Sequence, residues 1–321
     1  MSTPVPADLP RLPPRGRDTN KGSFGTVAAV GGSDDGHARM LGAPGLVAGA
    51  ALRAGAGLAK LVVPETLLTA ALTICPSATG IPIPVGAAGI EPHEATAAID
   101  RVIAGCTVLA VGPGLGVSPG AQAAVLRAIQ QEERALVLDA DGINCLGRIP
   151  EFMRDFRAAA VLTPHPGEFK RLCGAMGLPN ELGLAQSREN ACRQMAQRLG
   201  RIVVLKGAGT VVTDGIRTWT CPAGHPCMAT GGTGDVLTGV IAGIIAQFCP
   251  TTEQMLLRAR APQMPADPGR PLDLFDAARL GVFVHALAGE MWADEEQAQA
   301  GLLAADLLSL IPRAMESVRS N

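Results

Sequence analysis

Short apolar runs that each stop at a glycine-rich or polar turn recur along this 321-residue chain, and that repetition restricts the fold more than any other feature. Thr26-Val27-Ala28-Ala29-Val30 runs into Gly31-Gly32-Ser33, and residues 108–111 into Gly112-Pro113-Gly114-Leu115-Gly116. Residues 135–138 stop at Asp139-Ala140-Asp141-Gly142, 160–162 at Thr163-Pro164-His165-Pro166-Gly167-Glu168, and 202–205 at Lys206-Gly207-Ala208-Gly209-Thr210. Runs of three to five apolar residues bounded by turn signals read here as buried strands. Between them lie helix-like stretches at 43–54 and 119–130, and a second strand is expected at 58–63. Strand, helix, strand implies right-handed parallel crossovers. The expected fold is therefore α/β: a doubly wound, mostly parallel sheet with helices on both faces. The polar turns would then line up along the carboxyl edge, where open sheets of this kind bind ligands.

Composition excludes several functions. The chain is 47% hydrophobic and 17% charged, with a formal net charge of -2. No basic stripe is evident, so nucleic acid is not an expected partner. No stretch is long and apolar enough to span a bilayer, and residues 1–17 lack the apolar core of a secretory signal. The eight cysteines contain no Cys-x-x-Cys pair, which suits reduced thiols and a cytoplasmic location. The expected organisation is a Pro-rich tail at 1–20, then one domain over 21–319. A Pro- and charge-rich segment at 250–273 reads as a surface insertion. Helices are expected at 276–294 and 304–315.

The sharpest motif is Met228-Ala229-Thr230-Gly231-Gly232-Thr233-Gly234-Asp235-Val236-Leu237. Val236, Leu237, Val240, Ile241, Ile244 and Ile245 follow at helical spacing, so the glycines form a turn into a helix. Successive backbone N–H groups and the helix dipole make such a turn an anion site suited to phosphate. Asp235 would sit in the first turn, placed as a general base for a substrate hydroxyl. Alone it would read as a partner for the helix dipole. Lys206-Gly207-Ala208-Gly209-Thr210 is a second glycine turn whose Lys206 and Thr210 could reach phosphate or ribose. His285 lies in an apolar helical run and reads as core, His225 is undecided, and Cys227 reads as structural.

With these residues assembled, the chain closely resembles the ADP-dependent NAD(P)H-hydrate dehydratase family of the ribokinase-like superfamily, from Lys21 to about Pro312. The resemblance rests on Lys21-Gly22 with Gly31-Gly32-Ser33, Gly42-Ala43-Pro44, the Ala51-Leu52-Arg53-Ala54-Gly55-Ala56-Gly57 run and the turns quoted above. It implies that Ala43, Gly116, His165 and Asp235 line the hydrated-nicotinamide substrate. Lys206, Gly207, Ala208, Gly209, Thr210 and Gly234 would hold the adenine nucleotide. Mg2+, with ADP as co-substrate, is implied as well, although no metal-ligand cluster stands out in the sequence. So are a homo-oligomer, expected to be a tetramer, and a separate NAD(P)H-hydrate epimerase as functional partner. The stretch before Lys21 is too short for the epimerase domain to which members of the family are often fused. Two departures stand out: His225-Pro226-Cys227 where the family usually has Asn-Pro-Gly, and His285-Ala286-Leu287-Ala288-Gly289-Glu290 where His-Gly-Leu-Ala-Gly-Asp is commoner.

The reaction so implied is repair of the S-epimer of hydrated NADH or NADPH, giving NAD(P)H, AMP and phosphate from ADP. Asp235 would take the proton of the ring hydroxyl as it attacks the terminal phosphate. Two alternatives share the Gly-Asp turn: a small-molecule kinase for hydroxymethylpyrimidine, thiazole or sugar alcohols, and a nucleotide-binding regulator without catalysis.

Overall fold

The computed structural model describes residues 3–34, 38–86, 89–180, 182–183, 185–251, 254 and 270–319. Nine strands form one sheet: β1 (Thr26–Val30), β4 (Leu58–Pro64), β5 (Thr79–Ile83), β8 (Val108–Val111), β9 (Ala135–Leu138), β10 (Ala160–Leu162), β11 (Ile202–Leu205), β12 (Val211–Thr213) and β13 (Thr218–Thr220). The order across the sheet is β13-β12-β11-β10-β9-β8-β1-β4-β5. From β5 to β11 every neighbour is parallel, while β12 and β13 add an antiparallel edge. Four more short strands pair as two small arms, β2 (Ser33–Asp34) with β3 (Arg39–Met40) and β6 (Val85–Gly86) with β7 (Gly89–Ile90).

The apolar runs are fully buried because helices cover both faces, and a parallel strand so covered has no solvent side to alternate toward. In β1, Val27 and Ala29 pack into one core, Ala28 and Val30 into the other. The first core receives α1 (Gly42–Arg53), α2 (Glu65–Ile74), α8 (Thr233–Phe248), α9 (Leu274–Glu296) and α10 (Ala304–Ser317). The second receives α3 (Pro92–Ile103), α4 (Pro119–Gln130), α5 (Asp141–Leu146), α6 (Pro166–Met176) and α7 (Ala185–Leu199).

Helices α1 and α8 approach closely, which explains their small residues. A methyl group on Gly239 would lie 2.3 Å from the Val47 carbonyl oxygen, and one on Gly243 2.8 Å from that of Ala51. The Pro-rich start of the chain is packed rather than a free tail. Leu9 and Leu12 are buried, and the Leu12 N–H donates to the Val318 carbonyl at 2.9 Å. The Arg15 guanidinium lies 3.5 Å from the centre of the Phe24 ring and donates to the Gly55 carbonyl. The expected insertion at 250–273 falls largely outside the described residues.

All eight cysteines are buried free thiols. Burial raises the thiols of Cys106, Cys145, Cys192 and Cys221 to about 12, so they are packing groups, not nucleophiles. Among the described residues no helix is long and apolar enough to cross a membrane.

Candidate active site

The carboxyl ends of β1, β8, β9, β10 and β11 deliver the polar turns to one edge of the sheet, against the start of α8. Gly232, at φ 91°, takes the left-handed conformation at the N-cap of α8 and offers no side chain to the helix. The first-turn N–H groups of α8 are therefore not claimed by a side-chain cap, which leaves them suited to an anion. Thr233 Oγ1 ties the turn down by donating to the carbonyls of Met228 (3.1 Å) and Thr230 (3.0 Å).

Beside this turn lies a cavity of about 630 Å³. Lys206, Gly207, Ala208, Gly209 and Thr210 form one wall and Gly234 another, so the six expected nucleotide residues share one space. The antiparallel pairing of β11 with β12 explains this placement, because 206–210 is the turn that joins them at the carboxyl end of β11. Met228, Leu237, Val282 and Ala286 supply an apolar wall for a flat ring. His285 is buried as expected of a core residue, yet it also lines this cavity. Burial depresses its imidazole to about 4, so it is neutral. His225, left open by the sequence, lines the cavity and caps the short turn Pro226–Met228 through its Nδ1. Cys227 is buried, and its Sγ lies 3.5 Å from the Gly289 carbonyl, a structural position.

Beside the α8 turn, three carboxylates, Asp139, Glu168 and Asp235, gather round the Lys206 ammonium. Lys206 Nζ donates to Asp139 Oδ1 at 2.6 Å and lies 4.0 Å from Glu168 Oε2. Asp139 also accepts from Thr238 Oγ1 at 2.8 Å, and Thr238 is one helical turn beyond Asp235. A methyl group on Gly234 would stand 3.3 Å from Lys206 Nζ, so the glycine leaves room where the lysine meets the helix. Burial lowers the Lys206 ammonium, but Asp139, Glu168 and Asp235 outweigh that and raise it. It stays charged. Asp235 is pushed up to about 7, first by burial and then by Asp139, with Lys206 opposing and Asp141 and Glu168 adding to the rise. A carboxylate poised near neutrality is what proton abstraction at physiological pH requires.

The remaining candidates sit on the same edge. His165 is the N-cap of α6; its Nδ1 accepts from the Gly167 N–H at 2.9 Å, and its own N–H donates to Glu168 Oε2 at 2.8 Å. Burial and the neighbouring Lys206 and Arg171 lower its imidazole. Burial raises the Glu168 carboxyl. Gly116 donates its N–H to Asp141 Oδ2 at 2.9 Å. Ala43, in the first turn of α1, faces the Gly114 turn, with 3.5 Å between its Cβ and a methyl group built there. Asp139 and Glu168 stand in turns quoted from the sequence but were given no role there, and Thr238 was not singled out. The position of Asp139 at a strand end was the available signal; its partners, 67 and 99 residues away, gave none.

A family model described as NAD(P)H-hydrate dehydratase matches residues 28–313. The chain belongs to the NAD(P)H-hydrate dehydratase family. Relatives in it include the bifunctional NAD(P)H-hydrate repair enzymes of Coxiella burnetii, 36% identical over 93% of this chain, and of Vibrio cholerae, 37% identical over 92%. The chain spans about half the length of these relatives, 52% and 51%. A solved relative of the dehydratase family, the ADP/ATP-dependent NAD(P)H-hydrate dehydratase of Bacillus subtilis co-crystallised with ATP/Mg2+, superimposes with a TM-score of 0.72. It is 25% identical, and the match covers 98% of this chain and all of that one. A hydroxyethylthiazole kinase from Pyrococcus horikoshii shares the fold at a TM-score of 0.51 and 16% identity.

Proposed function

We propose that this dehydratase-family chain is a lyase that uses ADP to dehydrate the S-epimer of hydrated NADH and NADPH. The observation that carries the reading is Asp235: a carboxylate held near neutrality in the first turn of a helix with no side-chain cap, beside a nucleotide-sized cavity.

Hydroxide is a poor leaving group, so the ring hydroxyl must first be esterified. ADP would lie in the cavity, its base against Met228, Leu237, Val282 and Ala286 and its phosphates toward the α8 turn and Lys206. The substrate ring would enter from the side of Ala43, Gly116 and His165. Asp235 takes the hydroxyl proton as that oxygen attacks the terminal phosphorus, and the bond to AMP breaks. The first-turn N–H groups and the Lys206 ammonium receive the charge that develops on phosphate. Electron density from the ring nitrogen then expels phosphate, and the adjacent ring carbon loses a proton to restore NAD(P)H.

Mg2+ would neutralise phosphate charge when bound. Among the described residues no group of three or more His, Cys, Asp or Glu could hold a metal ion, so no protein ligand is assigned to it. A phosphate-borne ion that keeps most of its waters needs no such cage.

A cytoplasmic location agrees with eight free thiols. A separate epimerase as functional partner agrees with the bifunctional relatives, and a homo-oligomer, such as a tetramer, remains part of this reading. A kinase of the same fold would use the same Asp235 but leave a stable phosphoester. The deciding experiment is a nucleotide panel on hydrated NADH, following reduced-nicotinamide absorbance and product nucleotide. Absorbance should return with ADP, and less with ATP. Recovery without nucleotide, or a phosphoester that accumulates, contradicts the proposal.

A further inference from the structure

The segment Asp139-Ala140-Asp141 joins the two halves of the site, and it does so through a backbone that resists its own conformation. Ala140 sits at φ 49°, ψ -120°, one of three non-glycine residues with positive φ among those described. Such geometry in a residue bearing Cβ persists only where the surroundings enforce it, and it clusters at functional sites. Here the enforcement is visible. A methyl group on Gly112, itself at φ 122°, would lie 2.0 Å from the Asp139 carbonyl oxygen and 2.5 Å from the Gly142 nitrogen. Backbone therefore packs on backbone at the end of β8.

The bend sends consecutive carboxylates to different partners. Asp139, only 1% exposed, holds Lys206 Nζ with one oxygen and Thr238 Oγ1 with the other. Asp141 accepts the Gly116 N–H with one oxygen and Asn144 Nδ2 (3.1 Å) with the other. Asn144 in turn accepts from Arg171 Nε at 3.0 Å.

We propose that Asp139 is a positioning residue for Asp235: fixed inward by the Ala140 bend, it holds Lys206 and Thr238 against the helix turn that carries the base. The inference rests on the catalytic reading of Asp235. Lys206, buried beside several carboxylates, could pair directly with Asp235 and suppress its basicity. Asp139 takes the hydrogen bond of that ammonium at 2.6 Å, so Lys206 acts on Asp235 by its charge alone. The groups facing Asp235 are Asp139 at the end of β9, Asp141 on α5, Glu168 on α6 and Lys206 at the end of β11. Asp139 acts on Asp235 in two ways with the same sign, by its own charge and by retaining the lysine.

The test is a carbon-13 NMR titration of the Asp235 carboxyl in the full chain, with Asp235→Asn assigning the signal. It needs no turnover, so it stands even if ADP drives no dehydration; absent turnover in the wild type would sink the functional reading alone. In Asp139→Asn the midpoint should fall by at least about one pH unit, since a nearby like charge is lost. The acid limb of kcat against pH should move with it. An unchanged midpoint in the folded variant overturns the proposal, because a purely structural Asp139 would alter stability and leave the titration in place. If Asp139→Asn does not fold, Thr238→Val removes one of the two contacts and keeps the charge. A shift of at least about half a pH unit is then expected, and none would overturn the assignment.

Discussion

Asp235 is buried at a cost to the fold. A carboxyl whose folded value is raised to about 7 from 3.8 binds its proton more tightly folded than unfolded. Its contribution to stability is therefore complete below pH 4 and is lost as pH climbs through the window to about 7. Asp235→Asn cannot ionise, so above pH 7 the variant should be more stable than wild type, by on the order of 1–4 kcal/mol, with the gap closing below pH 4. Turnover should fall by about 10²–10⁴-fold while ADP binding persists. A role limited to the helix dipole predicts the reverse: slightly lower stability and near-normal turnover. Thermal unfolding at pH 4 and pH 8, with kcat and ADP calorimetry, separates the two. In the wild type, kcat should rise with pH and level off above about 7. The place of Asp235 in the first turn of α8 was legible in the sequence because its glycine turn and the apolar helix beyond it are local. The pairing of Lys206 with Asp139 beside it was not, because the two meet only after three parallel strands have been laid side by side.

Among the elements, the strands ending in glycine-rich or polar turns were the most legible, and β8, β9, β10 and β11 lie at the residues expected from sequence. Each is a short apolar run stopped by glycine or a polar residue, a pattern with one natural reading in a covered sheet. β5 was not seen. Its Thr79-Gly80-Ile81-Pro82-Ile83 carries a glycine and a proline, which strands tolerate at an edge, and β5 is the edge. Strands β12 and β13 have three residues each, too few for any period to show. Helix α8 was expected from its apolar spacing, but the reason for its glycines lies in α1. Gly239→Ala would force Cβ to 2.3 Å from the Val47 oxygen and should cost about 1–3 kcal/mol by overpacking. Urea unfolding measures it; an unchanged midpoint would mean that the two helices can part without loss.

At the scale of the whole molecule, the first described residues close against the last. Leu12 is fully buried beside Val318, Arg11 donates to the Ser317 carbonyl, and Arg319 donates to that of Pro13. Proline-rich composition concealed this, since the two leucines that anchor the segment have no periodicity between them. Leu12→Ala should lower stability by about 2–5 kcal/mol, as other buried leucines do, while leaving kcat per folded molecule unchanged. A fully stable variant would show that the segment rests on the body without supporting it. What the whole molecule does is decided by where the ring oxygen goes. If the hydroxyl of hydrated NADH is labelled with oxygen-18 and the full chain is given ADP, the account predicts the label in inorganic phosphate, one AMP appearing for each NADH restored. Label released into water, with ADP left intact, would contradict it.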